Sequence, residues 1–228
     1  MSGASFCFII AGVAETRFPD PSRATPEGIV AFGGRPEPEL LAEAYAAGIF
    51  PWPVEGYPLL WFSPPERALL FFDELHVPRS LARERRRTTL TFTVDRAFGR
   101  VIRACAAAPR PEGQGTWITR DMVRGFTEFH RMGRAHSVEA WEGGELVGGV
   151  YGVDAGGAFC GESMFHRRPN ASKLALLFLV EHLRARGLGW LDAQVMTPHI
   201  EALGARLVPR EEFLTLLARE RRRRLKLF

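Results

Sequence analysis

The pattern of hydrophobic and polar positions changes character near residue 68. Up to about Arg67, apolar positions are interrupted by proline and crowded with rings, as in Phe18-Pro19, Phe50-Pro51-Trp52-Pro53, Tyr57-Pro58 and Trp61-Phe62-Ser63-Pro64-Pro65. Each proline fixes its own φ and pushes the preceding residue toward extended backbone, so this stretch holds only short elements. One helix fits, Glu39 to Ala47, stopped by Gly48. The expectation for residues 1–68 is a small domain of ordered loops presenting aromatic rings on a rigid frame.

From Ala68 onward the runs lengthen. Ala68 to Phe72 reads as a strand, Pro78 to Arg87 as a basic helix, Leu90 to Val94 as a strand, and Asp95 to Ala108 as a helix. Thr119 then caps a helix whose Met122, Phe126 and Phe129 recur at i, i+4 and i+7, with Gly133 just past its end. A β-meander follows: Ser137 to Trp141, Leu146 to Val153 and Ala158 to Phe165, turning at Glu142-Gly143-Gly144 and Ala155-Gly156-Gly157. The strongest helix is Ala171 to Arg186, stopped at Gly187. Trp190 to Val195 is a strand, Pro198 to Leu203 a short helix, and Glu211 to Arg219 a last helix. This order predicts an α+β layer for residues 69–228, with a mostly antiparallel sheet and helices packed on it.

Composition narrows the chemistry. The chain has 228 residues with 30 Lys plus Arg against 26 Asp plus Glu, a net charge of +4, which favours anionic partners. Its longest apolar runs, Phe6 to Ala14 and Leu174 to Val180, fall short of the roughly 18 residues of a membrane span. The first basic residue is Arg17, so the charged start of a signal peptide is missing and the N-terminus reads as a short strand or loose segment of a cytoplasmic protein. Cys7, Cys105 and Cys160 are far apart, which supports neither a disulfide framework nor a structural zinc site.

Several mechanisms fail at the level of motif. The six histidines show no paired metal spacing. Gly161-Glu162-Ser163-Met164-Phe165 lacks the second glycine of a nucleophile elbow, and no phosphate-binding Gly-Lys-Ser/Thr loop occurs. Gly148-Gly149-Val150-Tyr151-Gly152 lies inside a strand pattern, where glycine marks close backbone approach. A polar set inside apolar strands remains. Asp192 and Gln194 stand two apart in Leu191-Asp192-Ala193-Gln194-Val195, which places both on one strand face. Burial obliges each to find hydrogen bonds, whether in a structural network or as a working unit. Glu162 is either a carboxylate that recognises a cation or the partner of a nearby arginine.

At these residues the chain resembles a known family. Gly48-Ile49-Phe50-Pro51-Trp52, Trp61-Phe62-Ser63-Pro64, Thr116-Trp117-Ile118-Thr119, Ala135-His136-Ser137-Val138-Glu139, Leu146 to Gly152, Gly161 to Phe165, Ala171-Ser172-Lys173 and Asp192-Ala193-Gln194 follow, in order, the blocks of the leucyl/phenylalanyl-tRNA–protein transferases. The resemblance runs from about Gly28 to Phe213. It implies a cytoplasmic enzyme, expected to be a monomer, that moves Leu or Phe, with Met as a further option, from aminoacyl-tRNA to the N-terminal amine of proteins beginning with Lys or Arg. Proteins so marked enter N-end-rule degradation. It also implies an acyltransferase-like second domain of the acetyltransferase superfamily, and neither cofactor nor metal.

An aminoacyl ester is already activated, so its transfer needs positioning, proton handling and oxyanion stabilisation rather than a protein nucleophile. By resemblance, Trp52 and Trp117 frame the terminal adenosine, which stacks on aromatic rings. Met164, Leu176 and Leu179 are the expected walls of the side-chain pocket. Asp192 and Gln194 lie at the reacting centre, Asp192 orienting Gln194 and Gln194 holding the amine, and Glu162 attracts the cationic acceptor. Asn170, Ser172 and Lys173 open the long helix, either as a phosphate contact or as a simple N-cap with a solvated lysine. Arg83, Arg85, Arg86, Arg87, Arg221 and Arg222 are candidates for the tRNA backbone, the C-terminal run reading equally as a solvated helix end.

The chain departs from the family pattern at Gly33-Gly34-Arg35-Pro36, where Gly-Gly-Asp-Leu is usual, and at Leu179, where an aromatic often stands. Two alternatives are an acyl-CoA-dependent N-acetyltransferase and a non-catalytic tRNA-binding module. The first needs a glycine-rich pyrophosphate loop that Arg167-Arg168-Pro169-Asn170-Ala171-Ser172 does not supply. The second would leave Asp192 and Gln194 dispensable.

Overall fold

The computed structural model describes residues 8–9, 17–109 and 116–228; the expectations for the rest of the N-terminal segment, Cys7 included, lie outside the described residues. Between the prolines of the first third, short extended segments pair into a four-stranded sheet. Its strands are β1 (Phe8–Ile9), β2 (Ile29–Phe32), β3 (Phe50–Trp52) and β4 (Leu60–Phe62), in the order β1-β2-β4-β3. β1 runs parallel to β2 and the other pairs are antiparallel. The sequence reading has no strand at β2, β3 or β4, because three or four residues show too little alternation and Pro51 sits inside β3. β3 is an edge strand, where proline is tolerated. Helix α1 (Pro38–Ala46) starts on its proline and buries Leu40, Leu41, Ala44 and Tyr45.

The second sheet has seven strands: β5 (Glu66–Phe71), β6 (Thr91–Val94), β7 (Ala135–Glu142), β8 (Glu145–Asp154), β9 (Phe159–His166), β10 (Trp190–Gln194) and β11 (Arg206–Pro209). They lie in the order β11-β5-β10-β9-β8-β7-β6, and only β9 and β10 pair in parallel. The helices are α2 (Arg79–Arg87), α3 (Phe98–Ala107), α4 (Arg120–Arg131), α5 (Ala171–Arg184), α6 (Pro198–Glu201) and α7 (Arg210–Arg223). The class is therefore α+β, with a mixed, mostly antiparallel sheet flanked by helices. β11 is a further unexpected strand, four residues long, ending on Pro209 at the opposite edge. None of the described helices is long and apolar enough to cross a membrane.

The two-residue period of the strands sorts the core onto two faces. Leu69, Tyr151 and Trp190 pack with α1, α3 and α4, whereas their neighbours Leu70, Val150 and Leu191 pack with α5. Burying each large apolar side chain contributes roughly 1.5–3 kcal/mol before the entropy of ordering it. Helix α5 is covered nearly all round, with Leu174, Leu176, Leu177, Leu179, Val180 and Leu183 buried. The expected start of α3 at Asp95 is corrected to Phe98. Asp95 takes a left-handed backbone, φ 59°, and its carboxylate accepts the Ser137 N–H at 2.8 Å and the His136 Nδ1–H at 2.7 Å instead of capping a helix.

Gly148 meets the expectation of close approach: a Cβ there would lie 2.6 Å from the Ala171 Cβ, at the start of α5. Gly125 is tighter still. On α4 its missing side chain admits the carbonyl oxygen of Pro36, which would stand 1.8 Å from a Cβ. Gly125→Ala is expected to destabilise the fold by about 1–3 kcal/mol, or by several degrees of melting temperature. A melting temperature within about 1 °C of wild type would mean that the Pro36 segment moves aside without loss.

Candidate active site

Arg67 on β5 and Asp192 on the adjacent β10 are both almost fully buried, 1% and 0% exposed. Two charges in such a place require one another. The guanidinium donates from Nε to Asp192 Oδ1 at 2.9 Å and from Nη2 to Oδ2 at 2.7 Å, a bidentate pair. Its Nη1 donates to the Gly48 carbonyl at 3.2 Å, and its plane lies between the rings of Phe50 and Phe213, 4.6 and 4.3 Å from their centroids. A carboxylate, a carbonyl and two ring faces thus hold this cation in place.

Asp192 Oδ1 also accepts the main-chain N–H of Gln194 at 2.8 Å. The β5–β10 register slips between these residues, Asp192 facing Leu69 and Gln194 facing Ala68, so Ala193 is an extra residue. Gln194 turns into a left-handed backbone, φ 64°. The same device occurs next door: Tyr151 faces Ser163 and Gly152 faces Gly161, which leaves Glu162 as the extra residue of β9. Bulges re-aim side chains. Here two of them, on neighbouring strands, point Gln194 and Glu162 at each other. Asp192 and Gln194 are thus not joined side chain to side chain by strand period, as the spacing suggests. The Asp192 carboxylate holds the Gln194 main chain, and the Gln194 side chain goes elsewhere.

It goes to Glu162. Gln194 Nε2 donates to Glu162 Oε1, and the hydroxyl of Tyr45, from α1, donates to the same oxygen at 2.7 Å. Glu162 Oε2 is buried without a hydrogen-bond partner. Glu162 is therefore not an arginine's partner. Burial pushes its carboxyl up to about 7, against the opposing pull of the Tyr45 and Gln194 hydrogen bonds. The same burial, aided by Glu162, holds the Tyr45 hydroxyl well above its usual range. It lifts the Cys160 thiol as well, with the Asp192 charge adding to the effect, so Cys160 stays a thiol at neutral pH and is no nucleophile.

Sequence reasoning missed Arg67 and Tyr45. A lone cation directly before the apolar run Ala68 to Phe72 signals Arg67, whereas Tyr45 sits one turn beyond Leu41 on α1 and reads as plain core.

The other expected residues spread around this centre. Trp52 and Trp117 stack on each other, centroids 5.9 Å apart and planes within 8°, so a base entering between them must part the pair. Trp117 also borders a groove of about 650 Å³ whose rim carries Arg35, Tyr57 and Arg120. Met164 is half-buried against the α5 cluster, and Leu176 and Leu179 are buried in it. At the start of α5, Asn170 has φ 64° and does not cap. Its side-chain amide donates to Glu84 at 2.5 Å, which corrects the N-cap reading. Ser172 is buried and Lys173 half-buried.

The arginines divide. Arg83, Arg86 and Arg87 are exposed on α2, and Arg85 pairs there with Glu181 of α5. Arg222 is exposed on α7, but Arg221 donates to the carbonyl of Ala46 at 2.9 Å, and Arg219 and Arg223 pair with the buried Glu220. The C-terminal run is thus partly stitched to the fold.

Comparison with known proteins bears on this geometry. The model of the leucyl/phenylalanyl-tRNA protein transferases matches residues 69–218, and the model of that family's N-terminal domain matches residues 34–65. The leucyl/phenylalanyl-tRNA–protein transferase of Anaeromyxobacter dehalogenans strain 2CP-C is 55% identical over 205 residues, covering 90% of this chain and 88% of that protein. That of Syntrophotalea carbinolica is 50% identical over 205 residues, covering 90% and 89%. Among solved structures, L-PGS from Bacillus licheniformis aligns with a TM-score of 0.39 at 15% identity, over 71% of this chain and 52% of that one. On the family match and the identity to curated relatives, the chain belongs to the leucyl/phenylalanyl-tRNA–protein transferases.

Proposed function

We propose that this transferase moves Leu or Phe, with Met as a further donor, from aminoacyl-tRNA to the N-terminal α-amine of proteins beginning with Lys or Arg. It works as a cytoplasmic monomer and so marks those proteins for N-end-rule degradation. The observation that carries this reading is the buried Glu162 carboxylate, with both donors on one oxygen and the other oxygen unpartnered, beside the Asp192–Gln194 bulge. A buried anion so arranged suits a cationic acceptor. Residues 69–228 are read as an acyltransferase-like domain of the acetyltransferase superfamily and 1–68 as the domain packed on it.

In this reading the acceptor amine attacks the ester carbonyl, a C–N bond forms and the bond to the 3′-oxygen of tRNA breaks. Gln194, its amide N–H already engaged with Glu162, offers its carbonyl oxygen to an N–H of the amine. The terminal adenosine stacks between Trp52 and Trp117. Met164, adaptable because flexible and polarizable, faces the Leu or Phe side chain, with Leu176 and Leu179 behind it. The exposed Arg83, Arg86, Arg87 and Arg222 neutralise tRNA phosphates; Arg85 and Arg221, already engaged, contribute less, and Asn170, Ser172 and Lys173 supply a 3′-end contact.

The test is to mix the protein with labelled leucyl-tRNA and an Arg-starting peptide, without ATP or CoA. Label should pass to the peptide, and the yield at subsaturating tRNA should fall steeply with salt, by at least tenfold between roughly 50 and 200 mM. No transfer would reject the reading; transfer only with an acyl-CoA would favour an N-acetyltransferase.

A further inference from the structure

We propose that Glu162 Oε2 is the atom that takes the proton released by the acceptor amine, and that Tyr45, reaching in from α1, is the positioning residue that keeps it available. The proposal deepens the transfer reading and rests on it.

The proton count requires such a group. An N-terminal amine arrives mostly as an ammonium, since its ordinary pKa is about 8. Of its three N–H bonds, one survives in the new amide. A second proton goes to the departing 3′-oxygen as the ester bond breaks. The third has to leave the nitrogen before its lone pair can attack the carbonyl, and in a buried site it needs an acceptor within reach.

An amide oxygen is a very weak base, which removes Gln194 from that role. Asp192 is held at both oxygens by Arg67, with the Gln194 N–H on one of them as well. Cys160 is fully buried and held as a thiol. Tyr45 is already a donor. Glu162 alone in this group has a carboxylate oxygen, Oε2, that is buried and unpartnered. Two donors from two different elements fix Oε1, Tyr45 from α1 and Gln194 from β10, so the free oxygen cannot rotate away to find another partner. The charged groups facing Glu162 are Asp192 of β10, which disfavours its anion, and Arg67 of β5, which favours it. Burial, opposed by the Tyr45 and Gln194 hydrogen bonds and only slightly adjusted by these two charges, leaves the carboxyl at about 7, close enough to an amine for the proton to pass and then to be lost to water.

The experiment measures kcat/KM for an Arg-starting peptide from pH 6 to 9 in wild type, Tyr45→Phe and Glu162→Gln, with the melting temperature of each. Infrared difference spectra follow the protonated carboxyl band in the same pH range without substrate. Wild type should lose activity below an acid limb near pH 7 and show a band titrating there that Glu162→Gln lacks. Tyr45→Phe removes one donor to the anion, so both the limb and the band should move to higher pH, by about one unit. Its activity should recover to within about threefold of wild type on the alkaline side. Glu162→Gln should lose on the order of 100-fold at pH 7, in kcat as well as KM, and its remaining activity should follow ionisation of the peptide amine.

A limb that stays in place in Tyr45→Phe, or a Glu162→Gln loss confined to KM and constant with pH, overturns the proposal. If Tyr45→Phe melts far below wild type, the Glu162→Gln profile and the wild-type band decide alone. A protein whose band titrates near 7 but which transfers nothing at any pH rejects the transfer reading and not the proton site.

Discussion

Arg67→Ala is expected to cost about 3–5 kcal/mol of folding stability, because it leaves the Asp192 carboxylate buried without its counter-charge. That is a large part of the roughly 5–15 kcal/mol by which a folded protein is stable. The variant should unfold at markedly lower urea and lose transfer activity with its fold. The double variant Arg67→Met/Asp192→Leu separates the two losses. It replaces the ion pair with apolar groups between Phe50 and Phe213, so most of the stability should return while transfer remains abolished. If the double variant melts no higher than Arg67→Ala, the penalty does not come from an uncompensated charge. If it transfers, Asp192 has no part in the chemistry.

Gln194→Ala is expected to lower transfer by about 10²–10³-fold, the usual effect of removing one positioned polar group from a reacting centre. Aminoacyl-tRNA affinity should change by less than about threefold, because the contacts proposed for the adenosine and the phosphates lie at other residues. The main chain at residue 194 has φ 64°, a conformation alanine adopts no more readily than glutamine, so the variant does not relieve strain. Asp192→Asn should follow the same direction. Single-turnover transfer measured beside equilibrium tRNA binding decides the matter, and equal losses in both would remove Gln194 from the reacting centre.

The sequence made some of this legible for reasons that can be named. Helix α4 announces itself by Thr119, whose side chain accepts the Met122 N–H, and by apolar residues one turn apart. The meander of β7, β8 and β9 is punctuated by glycines that the structure holds at positive φ, Gly143 and Gly144 at the first turn, Gly156 and Gly157 at the second. Strands β2, β3, β4 and β11 were invisible because short strands carry almost no period and two of them contain proline. At the site, the residue types Asp192, Gln194 and Glu162 stood out as polar groups in apolar strands. Their mutual geometry did not, because an extra residue in each of two strands leaves no mark in a two-residue period. Arg67 and Tyr45 were hidden by sequence distance: their partners lie 125 and 117 residues downstream.

That distance has a meaning for how the protein is made. The end of α1 is clasped from three sides, by Arg67 at the Gly48 carbonyl, by Glu162 at the Tyr45 hydroxyl, and by Arg221 at the Ala46 carbonyl, 175 residues further along. During synthesis the α1 segment leaves the ribosome early, yet the groups that receive it are translated later, and the last of them close to residue 221. Loops of such length close slowly. The groups of the centre itself run from Tyr45 to Phe213, so the assembled centre arises late in translation rather than with its first half.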